Sequence, residues 1–512
     1  MKYYMKYIDQ FLNKKTMYQL VFQLLAILAI ISVIFGWLGW LSFGGLALLG
    51  SAIVLAAACW ISNVTFARLF GATTNVESAF ITALILFFLI APPSTVMGYV
   101  LLACVGITAM ASKYILAIRK KHLFNPAAVA VLIWGILGYT QIAWWVATPL
   151  LVIFVAIAGF LILRKIRRFK LFFIFTLVAF LSIFIFTFFN GGTGNLWNFF
   201  VQVIESWPLL FFGTVMLTEP ITAPTTEKLG ITYAVIVGIL FGAQFHFGPV
   251  YATPELALVI GGLFAYVTGS KYKSELYLKE KKLVAENTYE FTFTSKQKLD
   301  FTPGQYLEWT LPHDKPDERG IRRYFTIASS PLLEPRERPH PTLPEGEGQE
   351  VQIAIRVSPE KSSSFKKTLL NLKTGDKILA GGLAGDFILP KDTNKKIVMI
   401  AGGIGITPFR SQIKYSIDKK QKRDIVLLYA NNLPQHVAYK ELFDQAEREV
   451  GVVTKYSFNN IPIDVAKEVP DYTQRMFYLS GPVGMVDHYD KVLRNAGVHE
   501  RNIVKDFFPG FA

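Results

Sequence analysis

The stretch RRYFTIASSP, residues 322–331, lies just past the middle of a 512-residue chain. In it, Arg323 is followed two residues later by the aromatic Phe325 and then by Thr326, at the end of a predicted strand. A guanidinium offers planar paired donors, and an aromatic ring offers a flat face. The pattern therefore predicts a site for a flat, anionic ligand in a water-facing part of the chain.

The chain changes character near residue 270. Before that point apolar runs of membrane-spanning length repeat, and after it charged residues, turns and alternating strands take over. A chain of this length predicts two to four domains. The net charge of +15 suits nucleic acid or an anionic membrane surface. Because the basic residues of the first half lie in short clusters between apolar runs, the lipid bilayer is the predicted partner and nucleic acid is not.

The apolar runs predict about ten membrane spans, since a bilayer core needs roughly 20 apolar residues per helix. The ten ranges are 18–37, 41–61, 76–94, 97–118, 124–140, 142–163, 170–189, 207–219, 231–245 and 254–269. The eighth and ninth are short, which makes them candidates for a tilted, broken or re-entrant segment. Clusters of lysine and arginine precede the first span and follow the even-numbered ones. The positive-inside rule then predicts a multi-pass inner-membrane protein with both termini in the cytoplasm.

Metal and disulfide chemistry is not predicted. The two cysteines, Cys59 and Cys104, lie inside apolar segments without a CxxC pattern, so we expect neither a zinc site nor an iron–sulfur cluster. The two histidines of the membrane half, His122 and His246, fall on opposite predicted sides of the membrane, so we expect no haem. Several ionisable residues at membrane depth, Glu219 among them, are either functional or lie at helix ends in water.

Beyond residue 270, two kinds of strand pattern follow each other. Period-two segments such as TYEFTF (288–293) and VQIAIRV (351–357) predict an antiparallel β-barrel. From about 395, buried strands alternate with helices, which predicts a doubly wound α/β sheet. The predicted fold is a polytopic α-helical membrane domain (1–270), an antiparallel β-barrel domain (271–392) with a disordered insertion (332–348), and an α/β nucleotide-binding domain (393–512).

Three motifs of the membrane half occur in the order of a known family. They are ESAFITALIL (77–86), KHLFNPAAVA (121–130) and LLFFGTVMLTEPITAPTTEKLG (209–230). Together they resemble the membrane subunit shared by sodium-pumping NADH:quinone reductases and Rnf-type ferredoxin:NAD complexes. The resemblance implies a membrane flavin, often FMN esterified to a threonine. Leu196 stands at the position of that threonine and has no hydroxyl, so we expect non-covalent FMN or a quinone instead.

RRYFTIASSP, in a barrel that precedes a nucleotide fold, resembles the FAD motif R-x-Y-[ST] of the ferredoxin–NADP reductase superfamily. The resemblance covers about 273–512 and implies FAD as a cofactor. It implies that Arg323 binds the flavin pyrophosphate, that Phe325 stacks on the isoalloxazine, and that Thr326 places a hydroxyl near flavin N5. Further cofactor-binding residues implied by it are Tyr324, Arg356, Ser363 and Ser364, of which the serines open a helix.

A glycine-rich turn, AGGIGITPFRS (401–411), follows a buried strand and opens a helix. Such glycines permit close backbone approach to a pyrophosphate, and a helix N-terminus favours its charge. With YLSGPVGMV (478–486), the resemblance implies an NAD(P)H site at Gly402, Gly403, Gly405, Thr407, Pro408, Ser480, Gly481 and Pro482. The candidate catalytic residues are Thr326, Ser480 and Asp506, and Phe511 is expected to cover the flavin.

The segment VVTKYSFNN (452–460) bears on the choice of nicotinamide. It has Phe458 at the position where the family arginine holds the 2′-phosphate of NADP. Lys440 and Lys455 could compensate, so NADH is favoured and NADPH remains the alternative.

The leading hypothesis is a membrane flavoprotein that takes hydride from NAD(P)H onto FAD. It would deliver electrons to an unknown acceptor: a quinone, a membrane flavin or a molecule outside the membrane. Two alternatives stay open. One is a transporter whose soluble half senses redox state or nucleotide, and the other is a haem-containing transmembrane ferric reductase.

Overall fold

The computed structural model divides the chain into two compact units, residues 1–271 and 272–508. It describes residues 7–8, 11–12, 15–71, 76–118, 121–139, 141–189, 195–224, 226–243, 245–248, 250–269, 273–295, 298–314, 316–317, 320–331, 348–358, 362–459 and 462–506. The side chains at 118, 121, 122 and 273 are not described. Phe511, the predicted insertion at 332–347 and the side chain of His122 therefore lie outside the described residues.

The first unit is built from apolar helices. Their bounds are α1 Met17–Trp37, α2 Gly45–Leu69, α3 Val76–Leu89, α4 Val96–Ile115, α5 Pro126–Ile136, α6 Pro149–Ile166, α7 Phe169–Phe189, α8 Leu196–Ser206, α9 Leu209–Met216, α10 Glu227–Gly242 and α11 Pro254–Thr268. Of the helices described, α1, α2, α4, α6 and α7 are long and apolar enough to cross a membrane, and α8 with α9 makes a sixth if they form one span. These helices indicate membrane association. The count of ten crossings stays a prediction, although each of the ten predicted ranges contains a helix.

Prolines lie at the break between α3 and α4 and at the break between α8 and α9. Helix α3 stops before Pro92 and Pro93, because a proline removes a backbone donor and its ring clashes with the preceding turn. The chain then runs to Thr95, whose hydroxyl caps α4 by accepting from the Gly98 N–H at 3.1 Å. Helix α8, which the sequence analysis did not predict, meets α9 at an angle of 57° next to Pro208.

The second unit begins with a six-stranded antiparallel sheet of order β4-β3-β6-β1-β2-β5. The strands are β1 Lys273–Ala285, β2 Thr288–Ser295, β3 Tyr306–Thr310, β4 Arg322–Thr326, β5 Gln349–Arg356 and β6 Lys377–Ala384, with helix α12 Ser364–Asn371 before β6. Side chains alternate between the two faces of a strand, and Phe291, Phe293 and Trp309 are fully buried in its core. Just past β4, the Ala328 N–H donates to the Gln352 carbonyl of the other outer strand at 2.7 Å.

A five-stranded parallel sheet of order β9-β8-β7-β10-β11 follows. Its strands are β7 Ile397–Gly402, β8 Ile425–Ala430, β9 Val453–Ser457, β10 Met476–Ser480 and β11 Ile503–Lys505, and its helices are α13 Thr407–Asp418, α14 Lys440–Val450, α15 Val465–Glu468 and α16 Val483–Asn495. Helices α13 and α14 pack on one face, and α15 and α16 on the other. This is the doubly wound arrangement predicted from the alternation of strands and helices. The carboxyl ends of β7, β8, β9 and β10 share one edge.

Helix α13 ties the parallel sheet to the antiparallel one. Its Arg410 guanidinium donates to the Ala328 carbonyl and its Ser411 hydroxyl to the Ser329 carbonyl, both at 2.6 Å. Arg410 also pairs with Glu290 of β2 at 3.4 Å, and both side chains are about nine-tenths buried. Because charge-assisted bonds between buried groups are among the stronger contacts in proteins, the two sheets of the second unit hold each other in place.

Candidate functional site

Two of the predicted FAD-binding residues, Arg323 and Phe325, lie on the same face of β4. Arg323 is 9 % exposed, and its guanidinium carbon lies 5.4 Å from the centroid of the Phe365 ring. The ring of Phe325 lies 5.8 Å from the same ring. Thr326 is buried at the end of the strand, opposite Tyr306 of β3. The strand alternation places Arg323 and Phe325 on the same side, as binding of one ligand by both would require.

Helix α12 adds its N-terminus to this face through Phe365 in its first turn. Ser363 caps the helix, since its hydroxyl accepts from the Lys366 N–H at 3.3 Å. Ser364 follows as the first helical residue. The structure thus brings both predicted serines to the side of the sheet where Arg323 and Phe325 lie. Free N–H groups and the helix dipole favour an anion at such a position.

Asp317, which the sequence analysis did not single out, occupies the space between Arg323 and Ser364. Its Oδ1 accepts from the Arg323 Nη2 at 2.8 Å, and its Oδ2 accepts from the Ser364 N–H at 3.1 Å. Its own N–H donates to the Ser364 hydroxyl oxygen at 2.9 Å. The only sequence signal was an acidic residue in a loop, KPDERG, which is ordinary for a solvated turn.

Two other predicted cofactor-binding residues lie elsewhere. Tyr324 points to the opposite side of β4, where its hydroxyl donates to Glu308 at 3.2 Å. Arg356 ends β5 and reaches the segment between β8 and α14, where its Nη2 lies 2.9 Å from His436 Nδ1. Its Nη1 is 3.7 Å from the point where a Cβ on Gly403 would sit. Because a guanidinium only donates, His436 accepts through Nδ1.

The glycine-rich turn after β7 leaves no room for side chains. A Cβ on Gly402 would lie 2.4 Å from the Met485 sulfur, and one on Gly405 would lie 2.5 Å from the Ser480 carbonyl oxygen. Gly403 has a φ of +53°, which side-chain-bearing residues rarely adopt. Gly403 and Gly405 are half-buried and carry no side chain, which suits close approach of a pyrophosphate to their backbone. Thr407 and Pro408 begin α13 directly after it.

Ser480 and Asp506 meet at the same edge of the parallel sheet. The Ser480 hydroxyl donates to the Asp506 Oδ2 at 2.9 Å, and Ser480 is 1 % exposed. Gly481 follows Ser480, and a Cβ there would lie 2.7 Å from the Met485 methyl carbon. Pro482 then caps α16. Met485 was not predicted, because its position on a helix gave no signal that it would cover the turn.

The segment after β9 shows how the two compensating lysines are placed. Lys455 donates to the Glu468 carbonyl at 2.8 Å and pairs with the Glu468 carboxylate at 2.9 Å. Lys440 lies 3.6 Å from Asp444 of its own helix. Phe458 stacks on Tyr456, with the two rings 4° from parallel and 6.5 Å apart. An aromatic pair, and not a cation, occupies the place where the sequence predicted the 2′-phosphate contact.

The first unit also contains buried polar contacts. Glu219 Oε2 accepts from the Asn125 amide at 2.9 Å and from the Thr222 hydroxyl at 3.1 Å. Glu255, which is 2 % exposed and which the sequence analysis did not single out, accepts from the Trp144 indole at 2.5 Å. Glu255 was hard to recognise in the sequence because it lies in the first turn of a helix, where acidic residues are common.

The described ranges contain no group of three or more His, Cys, Asp and Glu side chains that could hold a metal ion. His246, one of the two histidines considered for haem, is exposed in a two-residue hairpin strand and stacks on Tyr251 at 5.4 Å. It does not lie on a helix that faces another helix. The expectation that the chain binds neither haem nor an iron–sulfur cluster stays a prediction.

The family model described as "Oxidoreductase NAD-binding domain" matches residues 399–491. The flavohemoprotein of Bacillus thuringiensis subsp. konkukian is 28% identical over 155 residues, which cover 27% of this chain and 39% of that protein. One subunit of the Na(+)-translocating NADH-quinone reductase of Neisseria meningitidis serogroup B is 27% identical over 235 residues, 40% of this chain and 57% of that protein. The FAD/NAD-binding domain of nitric oxide dioxygenase from Vibrio cholerae, 20% identical, covers 46% of this chain and 98% of that chain at a TM-score of 0.38.

The chain spans about two fifths of the length of the flavohemoproteins that it matches. The matches confirm the prediction of an oxidoreductase, with a C-terminal half similar to ferredoxin–NADP reductase and an NAD-binding domain that contains the glycine turn.

Proposed function

We propose that the protein is a membrane-bound oxidoreductase that takes hydride from NADH onto FAD and passes the electrons into or across the membrane. One observation carries the proposal. The carbonyl of Arg356 accepts from the Lys366 ammonium of α12 at 2.8 Å, and its guanidinium reaches the glycine turn at Gly403. A single residue thus lies beside both the helix proposed for the flavin and the turn proposed for the nucleotide.

In the proposed flavin site, Arg323, Ser363 and Ser364 hold the diphosphate, and the donor chemistry of these groups fits an anion. Phe325 offers an aromatic face to the ring system, and Thr326 offers a hydroxyl beside it. When bound, FAD accepts a hydride as a two-electron unit and returns electrons singly. Phe511 keeps its proposed role of covering the flavin, and Tyr324 is proposed to contribute through its backbone.

In the proposed nucleotide site, the backbone of Gly402, Gly403 and Gly405 approaches the pyrophosphate at the N-terminus of α13, which Thr407 and Pro408 open. Ser480, Gly481 and Pro482 border the nicotinamide, and Asp506 orients the Ser480 hydroxyl. Arg356 supplies positive charge next to the turn. Together these residues bind and orient the nucleotide and exclude water from the side of Ser480, which is almost fully buried.

NADH is the proposed donor rather than NADPH. A 2′-phosphate needs a cation at the end of β9, and Lys455, the nearest candidate in sequence, is held by both the carbonyl and the carboxylate of Glu468. Phe458 supplies no charge. Moving Lys455 to the phosphate would break two contacts, which disfavours NADPH.

For the membrane half, we propose ten spans over 1–270, a barrel FAD domain over 271–392 and a nucleotide domain over 393–512, with both termini cytoplasmic. The membrane domain is proposed to be similar to the shared subunit of Rnf and sodium-pumping complexes. It would hold non-covalent FMN or a quinone, because Leu196 cannot form a flavin ester. Leu196 is the first residue of α8, and Asn195 caps that helix.

The test of the proposed flavin site is Arg323→Ala in the full chain. We expect the variant to lose FAD on purification, because the guanidinium is the only strong cation assigned to the diphosphate. The matched control is Arg322→Ala, which removes the same charge from the same strand on the opposite face, where Arg322 pairs with Glu308 at 3.5 Å. Equal flavin content in both variants would show that the site is misassigned.

The topology has its own test. A reporter fused after Ala512 should be cytoplasmic, and one inserted between Gly194 and Asn195 should be outside. Intact-mass measurement of the denatured protein should show no covalent flavin. Both reporters on the same side of the membrane, or a mass increment of one FMN, would contradict this part of the proposal.

A transporter with a redox-sensing soluble unit is the second candidate. The 57° bend between α8 and α9, next to the π-helical turn Phe212–Met216, favours it, since transporters build substrate sites from broken helices. NADH oxidation by membranes that contain the protein, with and without artificial acceptors, separates the two. Bound FAD without turnover would favour the sensor.

A further inference from the structure

The carboxylate of Asp317 bonds to the very donors that the proposed flavin site assigns to a diphosphate. One oxygen faces the Arg323 guanidinium and the other faces the first N–H of α12, at 2.8 and 3.1 Å. A guanidinium N–H on one side and a helix N-terminus on the other are donors that a pair of phosphate oxygens also accepts from. The carboxylate therefore presents the charge and the acceptor spacing of a phosphate.

The segment that carries Asp317 is held by a second set of bonds. His313 Nδ1 lies 2.8 Å from the Leu311 carbonyl, so this nitrogen carries a proton, and Nε2 accepts from the Ser364 hydroxyl at 2.9 Å. The Ser364 oxygen in turn accepts from the Asp317 N–H. Each of these polar groups has a hydrogen-bond partner, and a network with all its groups paired holds the segment in position.

Two anions cannot share these donors. The side chain of Arg323 is 11% exposed, so its charge needs a close counter-ion, and Asp317 provides one. A diphosphate at the same place would lie in contact with the carboxylate, and like charges at that distance repel strongly in a half-buried site. The Asp317 carboxylate and a diphosphate therefore cannot both lie between Arg323 and Ser364.

We propose that Asp317 is an internal competitor for the diphosphate position and thereby sets the affinity for FAD. The inference rests on the proposed flavin site. FAD binds when the Asp317 carboxylate leaves Arg323 and Ser364, so the observed affinity is the intrinsic affinity multiplied by the fraction of molecules in which the carboxylate has left. The same contact keeps the arginine paired, so that the fold does not depend on FAD to neutralise a buried charge.

The test uses the full-length protein in detergent, stripped of flavin and titrated with FAD. Asp317→Asn keeps the size of the side chain and removes its charge. We expect FAD to bind roughly tenfold more tightly, the scale on which charge-assisted and neutral hydrogen bonds differ. The matched control is Asp314→Asn, in the same segment and exposed to solvent, which removes the same charge and should leave the affinity unchanged.

A second readout does not involve flavin. Without added FAD, Asp317→Asn should melt at a lower temperature than the parent, because the ion pair between Arg323 and Asp317 is lost, and FAD should raise its melting temperature by more. Weaker FAD binding in Asp317→Asn, or equal shifts in both Asn variants, would overturn the proposal. Arg323→Ala, measured in parallel, separates this failure from failure of the flavin site itself, because loss of FAD in that variant upholds the site whatever Asp317 does.

Discussion

The flavin half and the nucleotide half of the soluble unit offer different kinds of groups to an anion. The flavin half combines the N-terminus of α12 with side chains, and one of these, Arg323, already bonds to Asp317 of the same chain. The nucleotide half uses bare backbone at Gly402 and Gly405, where an added Cβ would lie 2.4–2.5 Å from neighbouring atoms. A site made of side chains can be filled by another side chain. A site made of backbone can be blocked only by an added side chain. Binding to the flavin half should therefore respond to changes of charge, and binding to the nucleotide half to changes of side-chain size.

The largest effect is expected from added volume in the turn. Gly405→Ala should lower NADH oxidation at least about a hundredfold, since a misplacement of about 1 Å at a reacting site can cost that much. Its Cβ would press on the Ser480 carbonyl and on Gly481. FAD content, measured by absorbance of the purified protein, should not change. Gly484→Ala is the control, because among the described residues no atom lies within 4 Å of that Cβ.

A polar change at the same edge should act more gently. Ser480→Ala removes the hydroxyl that donates to Asp506 and should lower kcat about tenfold, the scale of one lost hydrogen bond. FAD content and the KM for NADH should stay close to those of the parent. A KM effect without a kcat effect would mean that Ser480 binds the nucleotide and does not border the reacting atoms.

Adding a positive charge to the nucleotide half tests whether the choice of nucleotide there depends on charge. Phe458→Arg places a cation at the end of β9 and should raise kcat/KM for NADPH by roughly tenfold, because an arginine binds phosphate with paired donors. The value for NADH should change little. Phe458→Leu separates the effect of the new charge from the loss of the stack on Tyr456. Equal gains in both variants would mean that the ring, and not the missing charge, limits NADPH use.

The smallest effect is expected at the opposite edge of the parallel sheet. Hydrogen bonds from Arg475 and Lys396 lower the pKa of Asp471 to about 2. A carboxylate whose folded pKa is depressed stabilises the fold above its unfolded pKa of about 3.9, and this contribution disappears as the pH falls from about 4 through 2. Because Asp471 is partly exposed, we expect less than about 1 kcal/mol. Denaturant unfolding of the parent and of Asp471→Asn at pH 7 and pH 3 would measure it, and NADH oxidation at neutral pH should be equal in both.

Much of the fold could be predicted because its patterns are local. The apolar runs located a helix in every predicted range, and the glycine turn was placed correctly between β7 and α13. Helix α8 was missed because Trp197, Phe200 and their neighbours alternate with polar residues over only three turns, which is shorter than a span. The number of crossings could not be fixed, since half-length helices such as α5 satisfy no length rule.

The site was harder to predict where it depends on contacts distant in sequence. Arg323 and Ser364 were predicted from their motifs and remain predictions as cofactor-binding residues, and the structure brings them together around Asp317. Asp317 was not found, because the carboxylate becomes informative only when the helix 47 residues later is folded against it. Glu255 was missed for the same reason, since its partner Trp144 is 111 residues away. A motif can be recognised from neighbouring residues in the sequence, whereas a contact between residues distant in sequence produces no local pattern.

The bonds that join α13 to the segment after β4 bear on how the soluble unit comes apart. Arg410 and Ser411 belong to the helix that opens at the glycine turn, and their acceptors, Ala328 and Ser329, directly follow the flavin strand. Neither the flavin half nor the nucleotide half can open without exposing the buried pair of Arg410 and Glu290. The two halves should therefore unfold in one cooperative transition, with the amides of β4 and β7 protected from hydrogen exchange to the same extent. A ligand bound to either half would then slow amide hydrogen exchange in both halves, so that binding of one cofactor would also stabilise the site of the other.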